Sequence, residues 1–316
     1  MSGPARASAF APASVGNVGV GFDLLGHVID GPGDTVTATR RDRPGVCIES
    51  ITGIVSNLPM EAENNTAGRA VQALLDHQQP GFGIALQITK GIPLGSGLGG
   101  SAASATAALV AANALLDRPL AVEALYPFAL AGEAVASGSA HGDNVGPQLL
   151  GGLVLATADR LIRLPVPSDL WAVVVHPDHI VETRAARASL AEPFPIATIV
   201  AQNARLAGFI SACYRGDLEL LAASLEDLLV EPRRAALIPG FQAVRSAALD
   251  HGALGASISG AGPSVFGWFR EADSARLAGA AMVNAFADHG LAARYWASPV
   301  DAPGARQVEP TADPAR

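Results

Sequence analysis

The sequence predicts an α+β protein of two domains, and three observations carry that reading. The chain has 316 residues, 49% of them hydrophobic and 16% charged, which is too apolar for a disordered chain and enough for one large or two ordinary domains. Stretches with the period of strands and stretches with the period of helices both occur, but they do not alternate strictly, which argues against a doubly wound sheet. Pro165 and Pro167 interrupt the pattern near mid-chain and mark a seam. The expected division is a domain over 7–160, a second over 168–298 and a flexible tail over 299–316, where Pro, Ala and Asp accumulate.

Taken in order, Ala7 to Ala13 reads as the first strand. It runs into Ser14-Val15-Gly16-Asn17-Val18-Gly19-Val20-Gly21-Phe22-Asp23, whose glycines permit left-handed backbone and suggest a binding loop. Asp34 to Arg40 and Val46 to Ile54 enrich β-branched residues as strands do, and Asn65 to His77 sets apolar residues at helical spacing behind an Asn-Thr start. Phe82 to Thr89 is a strand, 91–100 a glycine loop and Ser101 to Leu116 an alanine-rich helix. A helix from Leu120 to Val135, a Gly/Ser/His/Asp-rich loop over 136–146 and a strand from Leu153 to Ala158 complete the first half. Beyond the seam come a strand at Trp171 to His176 and helices near Phe194 to Tyr214, Leu218 to Leu229 and Phe241 to His251. Strands Gly255 to Ser259 and Ser264 to Phe269 flank a glycine hairpin, followed by a helix at Asp273 to His289 and a strand at Ala292 to Ala297.

Charge and composition narrow the function. The formal charge is −8 and there is no basic run, so nothing resembles a nucleic-acid footprint, and a small-molecule substrate is the better expectation. Cys47 and Cys213 are far apart with no Cys/His cluster, so neither a disulfide framework nor a zinc site is expected. No apolar stretch reaches the roughly 18 uncharged residues that span a bilayer, and MSGPARASAF has no long apolar signal region, so the expected place of work is the cytoplasm, off the membrane. Of the 21 basic residues only Lys90 is a lysine, a bias of the kind a GC-rich genome produces.

The segment 91–101 carries most of the chemistry. Glycines leading into a helix gather backbone N–H groups and the positive end of the helix dipole around one point, which suits a phosphate; a plain turn is the bland alternative. A Walker A loop is excluded because its lysine should stand at the helix start, whereas Lys90 lies on the strand side. Gly95-Ser96-Gly97-Leu98-Gly99-Gly100 satisfies the dinucleotide fingerprint, but its acidic candidate, Asp117, closes a helix instead of a strand and is poorly placed for a ribose.

Pro93-Leu94-Gly95-Ser96-Gly97-Leu98-Gly99-Gly100-Ser101-Ala102-Ala103 resembles the P-x-x-x-G-L-G-S-S-A phosphate loop of the GHMP kinases, which include galactokinase, homoserine kinase, mevalonate kinase and phosphomevalonate kinase. Gly100 replaces the first serine of that pattern; Ser101 keeps the second. The stretch from Ala11 to Asp23 is similar to the family's first motif, and Ser259-Gly260-Ala261-Gly262-Pro263-Ser264 to its third. Gly132-Glu133, His141-Gly142-Asp143-Asn144-Val145-Gly146-Pro147, the segment Thr183 to Arg187 and Pro232-Arg233-Arg234 resemble the homoserine kinase members.

The resemblance implies an N-terminal domain like ribosomal protein S5 domain 2, a ferredoxin-like C-terminal domain, and ATP-dependent phosphorylation of the L-homoserine hydroxyl. It implies Mg²⁺ on Ser101 and Glu133, nucleotide contacts from Asn65, residues 93–103 and Thr183, and substrate contacts from Asn17, Asp23, His141, Asn144, Arg187 and Arg234. Both charges of a zwitterionic amino acid are catered for, the carboxylate by arginine and the ammonium by Asp23. Asn144 is cast as orienting the hydroxyl and Asp143 as the candidate base, a role left open because a loose transition state need not ionise the hydroxyl early. Lys90 is expected to approach either the moving phosphate or Asp143. A homodimer also follows from the resemblance alone. Another GHMP kinase acting on a mevalonate or sugar derivative, and a non-catalytic binding member, are the alternatives.

Overall fold

The computed structural model describes residues 3–137, 140–167 and 169–309. The first half contains β1 (Arg6–Gly16), β2 (Leu25–Arg41), β3 (Val46–Gly53), α1 (Thr66–Gln78), β4 (Gly83–Lys90), α2 (Gly100–Ala114), α3 (Tyr126–Ser137), α4 (Val145–Leu150), β5 (Leu153–Ala156) and β6 (Leu161–Leu164). They form a seven-stranded sheet with β11 (Arg306–Val308), in the order β11-β1-β2-β4-β3, with β5 and β6 added beside the first part of β2. Among the described residues only β3 and β4 pair in parallel, joined through α1. The second half runs β7 (Trp171–Pro177), α5 (Thr183–Ala188), α6 (Ile196–Arg215), α7 (Leu218–Ser224), α8 (Glu231–Arg234), α9 (Phe241–Asp250), β8 (Gly255–Ile258), β9 (Val265–Phe269), α10 (Ala272–Ala287) and β10 (Ala293–Pro299). Its sheet is β10-β7-β9-β8, wholly antiparallel. In chain order that is 4-1-3-2, with helices between the first and second and between the third and fourth strands, the ferredoxin-like arrangement.

The alanine content of α2 explains how the site is placed. Its residues are buried on all sides, including Ala102, Ala105, Ala108 and Ala112, and the lack of bulk lets α1, α3, β1 and β2 crowd round one thin helix. The N-terminus of α2 is thereby held at the centre of the protein. One core unites the first sheet with Ala172, Val174, Phe266 and Trp268 of the second, and a smaller one lies between that second sheet and α9 and α10. Across the join, buried Trp268 Nε1 donates to His27 Nε2 at 3.1 Å, and burial pulls His27 down to about 4, which keeps it a neutral acceptor.

Several elements differ from the sequence expectation. β2 begins at Leu25, nine residues before the strand read from periodicity, because Gly31 and Gly33 hide its first half; a Cβ at Gly33 would stand 2.2 Å from the Phe10 ring. The predicted helix from Leu120 is a short 3₁₀ turn, Val122–Leu125, leading into α3. α4 falls where a loop was expected to end, its Pro147 tolerated in the first turn. α7 stops at Ser224 because the chain then folds about Asp227, whose carboxylate accepts the N–H groups of Leu229, Val230 and Glu231. The tail is corrected most. Residues 300–309 are tied down: Val300 and Ala302 are buried, Ala305 N donates to Gln148 O at 2.7 Å, and β11 pairs with β1. A Pro/Ala composition does not prevent an edge strand from finding a partner. The rest of the predicted tail, 310–316, lies outside the described residues.

α6 is long and apolar enough to cross a membrane by length and composition, but Arg205 interrupts it and buried Gln202, Phe209 and Cys213 pack it onto the domain.

Candidate active site

A cleft of about 730 Å³ opens between the two sheets, lined by Asn17 to Asn144 on one side and by Ile180 to Arg187, Arg234 and the 260–262 hairpin on the other. Its floor is the phosphate loop. Gly95, Gly97 and Gly99 all have positive φ, at 63°, 73° and 67°, which other residues adopt only at a cost. A Cβ at Gly97 would stand 2.3 Å from Ser259 O and one at Gly99 2.4 Å from Ser14 Oγ. Four consecutive carbonyls of this loop are bound from behind. Ser264 Oγ donates to Ser96 O at 2.6 Å, Ser259 Oγ to Gly97 O at 2.7 Å, Ser14 N to Leu98 O at 3.1 Å and Gln148 Nε2 to Gly99 O at 3.0 Å. With the carbonyls engaged, the first N–H groups of α2, which no helix satisfies internally, form the anion-seeking point of the floor.

Ser101 and Glu133 meet there, Ser101 Oγ lying 3.0 and 3.2 Å from the two Glu133 carboxylate oxygens. Burial pushes the Glu133 carboxyl up to about 7; the Ser101 hydroxyl and Lys90 oppose the rise and Asp143 adds to it. A hydroxyl and a carboxylate beside a phosphate floor are the oxygen donors that Mg²⁺ takes, most of its remaining shell coming from phosphates and water. Among the described residues no group of three or more acidic, His or Cys side chains gathers to hold a metal by itself.

The acceptor side is built of charges. Asp23, with φ 59°, accepts from Arg187 Nη1 at 2.8 Å and Nη2 at 3.3 Å, and His141 Nδ1 lies 3.4 Å away. Asn17 shapes this turn, its Oδ1 accepting Asp23 N at 3.0 Å and its Nδ2 donating to Gly260 O at 2.8 Å. Arg234 is buried, donating from Nε to Ala186 O at 3.2 Å and from Nη1 to the same Gly260 O at 2.9 Å. Burial moves its basicity down from the ordinary value. Asp143 is buried and pushed up to about 7 by desolvation and by Asp23, against hydrogen bonds from its own N–H and that of Asn17. Asn144 Oδ1 accepts from Ser14 Oγ at 2.9 Å.

Most of the residues singled out in the sequence line this one cleft, Asn65 and Lys90 among them, while Ala102 and Ala103 do not. The side chains of Ala102 and Ala103 are fully buried in the core; Ala102 N is still one of the first N–H groups of α2, whereas Ala103 N already donates to Gly99 O at 2.9 Å. Asn65 reaches the cleft wall, yet its amide caps α1, accepting from Ala67 N and Gly68 N and donating to Pro59 O at 2.9 Å. Lys90 lines the cleft at the base of the loop, where its ammonium is held by Asp34, Gly100 O and Ser104 Oγ. The side chain of Thr183 lies outside the described residues. Sequence reading missed Phe22, whose ring lies 5.3 Å from the Arg187 guanidinium and 5.2 Å from that of Arg234. It also missed Asp34 and the buried pair Gln202 and Asp227, which links Val20 O to the turn before α8. Only the aromatic following Gly21 offered a signal, since Asp34, Gln202 and Asp227 reach their partners across the fold.

The family description "GHMP kinases N terminal domain" matches residues 65–152 and "GHMP kinases C terminal" residues 209–288. A homoserine kinase of Xanthomonas campestris pv. campestris is 55% identical over 301 residues, covering 95% of this chain and 94% of that protein. The chain belongs to the homoserine kinases of the GHMP kinase family. A second homoserine kinase, of Chlorobium phaeovibrioides, is 42% identical and covers 94% of this chain and 98% of its own length. The crystal structure of homoserine kinase from Cytophaga hutchinsonii superposes with a TM-score of 0.93 at 42% identity, over 98% of this chain and 99% of that one. A galactokinase of Lactococcus lactis, at 15% identity and a TM-score of 0.70, shares the fold alone. Membership makes the protein an ATP-dependent small-molecule kinase.

Proposed function

We infer that the protein transfers the γ-phosphoryl group of ATP to the side-chain hydroxyl of L-homoserine, giving O-phospho-L-homoserine and ADP. The observation that carries this reading is the opposition, across one cleft, of a phosphate floor and a cluster bearing both carboxylate and guanidinium. A zwitterionic acceptor needs both: its ammonium finds Asp23 and its carboxylate Arg187, with Arg234 behind. A neutral sugar or mevalonate needs no such pair of opposite charges.

The chain's own residues would then act as follows. Backbone N–H groups at the start of α2 hold the β- and γ-phosphates and take up charge that moves towards the leaving oxygen. Ser101 and Glu133 would hold Mg²⁺, which when bound supplies charge neutralisation on the phosphates. Asn144, fixed by Ser14, orients the acceptor hydroxyl. As the oxygen–phosphorus bond forms and the bond to ADP breaks, the hydroxyl proton passes to Asp143, the buried carboxylate on that side. ATP and an amino acid are solutes of the cytoplasm, which is the compartment this reading requires; the homodimer implied by resemblance is checked by sedimentation.

The direct test is ADP release coupled to a panel of acceptors. Turnover with L-homoserine, and little with mevalonate or galactose, is expected; no turnover with L-homoserine would sink the reading.

A further inference from the structure

Lys90 ends β4 at the entry to the phosphate loop and is only 5% exposed, and Asp34 on the neighbouring strand β2 is fully buried. An ammonium has three donors and no acceptor, and Lys90 directs them to Asp34 Oδ2, to Gly100 O at 2.7 Å and to Ser104 Oγ at 2.8 Å. Asp34 is equally committed. Its Oδ1 accepts the N–H groups of Gly91 at 2.9 Å and Ile92 at 3.3 Å, and its Oδ2 accepts Ser104 Oγ at 2.7 Å as well as Lys90.

These contacts fall at two places in the chain. Gly91 and Ile92 are where the backbone leaves β4 for the loop; Gly100 and Ser104 are where it has entered α2. One buried ion pair therefore closes the neck of the loop from below. The floor reads phosphate through backbone N–H groups, whose direction depends on how far apart the two ends of the loop are held. Buried ion pairs recover little net stability, because desolvation offsets their attraction. Stability is thus a weak reason to keep this one, and control of geometry is a strong one.

We propose that Asp34 and Lys90 are positioning residues that clasp the two ends of the phosphate loop and so set the affinity for the nucleotide. The requirement is for a compact ammonium whose three donors diverge, which a longer, planar guanidinium does not reproduce. This accounts for the survival of one lysine in a chain with 20 arginines.

The test uses the full-length protein, ADP titrations by calorimetry, thermal melting, and steady-state kinetics. Lys90→Met strands the Asp34 carboxylate, so Tm falls and ADP binding weakens roughly tenfold or more, the scale on which small misplacements are felt. The double variant Asp34→Leu/Lys90→Met removes both charges, so much of Tm returns while ADP affinity stays low. Lys90→Arg does not restore affinity, and KM for the acceptor at saturating ATP stays within about twofold. If the double variant recovers both Tm and ADP affinity, or if the single variants melt earlier yet bind ADP within about twofold of the parent, the pair is merely structural and the proposal is wrong. Should Lys90→Met fail to fold, Ser104→Ala, which removes one arm of the clasp, is expected to weaken ADP binding in the same sense, and unchanged ADP affinity there counts against the proposal. Because ADP binding is read without any acceptor, the result stands apart from the assignment of homoserine.

Discussion

The phosphate floor and the acceptor wall face each other across one cleft but are held by different means. The floor is mostly backbone: Ser14, Ser259, Ser264 and Gln148 engage its carbonyls, and a charged support, Asp34 with Lys90, is buried beneath it. The acceptor wall is side chains and charge, with the charges of Asp23 and Arg187 acting on the protonation of His141 and Asp143. A floor of neutral dipoles presents the same face to phosphate at any ordinary pH. A wall of coupled acids and bases can discriminate ligands by charge, and responds to pH in consequence. The family shares a nucleotide and differs in acceptor, and the division of materials follows that division of labour.

Ser101 and Glu133 are the floor's exception, a side-chain element in a backbone surface, and removing it should have the largest effect. Glu133→Gln keeps the size and the hydrogen-bonding reach to Ser101 but not the charge. The expected loss in kcat is on the order of 10²–10³-fold, the scale of removing one stabiliser of transition-state charge. Steady-state rates over a Mg²⁺ series check it, and a kcat within about threefold of the parent would remove Glu133 from the metal.

The wall should respond through the acceptor alone. Arg187→Ala removes a charge-assisted pair worth roughly 1.5–3 kcal/mol, but Arg187 is 41% exposed, so screening by solvent brings the expectation to about tenfold in KM for homoserine. KM for ATP should hold. A matching rise in both would show that the two surfaces are not independent.

How much of this contrast is legible before the fold is known depends on distance along the chain. The floor is legible because its determinants are contiguous: glycines at alternate positions, then a helix. Glu133 and the His141 to Pro147 segment are legible only through resemblance, since a helix-end acid and a loop histidine are ordinary in themselves. The clasp is not legible. Lys90 attracts notice by being alone, but nothing local says that its partner stands 56 residues earlier or that both are buried. The first half of β2 and the packed segment 300–309 escape for a related reason, because glycine or proline in the sequence masks strands that pairing with β1 stabilises.

The acids set the pH response, and the sign follows from the direction of the shifts. The Asp143 and Glu133 carboxyls are raised from 3.8 and 4.5 to about 7 in the folded protein, so between those values the folded state holds protons that the unfolded state has lost. Their contribution to stability is full below about pH 4 and is lost as pH rises through about 7. Urea midpoints without nucleotide or Mg²⁺ should therefore fall across that interval, less steeply in Asp143→Asn. Catalysis runs the other way if Asp143 must be ionised to accept the proton, with kcat/KM rising through neutrality. An Asp143→Asn enzyme that keeps most of its kcat, with KM for homoserine unchanged, would remove the base and leave Asn144 and the floor to do the work.

The smallest effect is expected where the floor departs from the family pattern. Gly100 is absent from the positive-φ glycines of the loop, so its backbone suits serine, and it opens α2, where serine is tolerated. A Cβ there would lie 3.2 Å from Ile92 Cγ2 and 3.8 Å from Lys90 Nζ, so one methyl must yield by a few tenths of an ångström. The lost freedom of glycine in the unfolded chain favours Gly100→Ser by roughly 0.4–1 kcal/mol, and the contact with Ile92 takes back part of it. Tm should change by about 2 °C or less, since a domain pair of this size shifts only slightly per kcal/mol. KM for ATP should fall by no more than about threefold, the added hydroxyl reinforcing donors already in place. A larger gain would mean that side-chain hydroxyls carry more of the phosphate than the backbone does, and the contrast between floor and wall would have to be redrawn at this position.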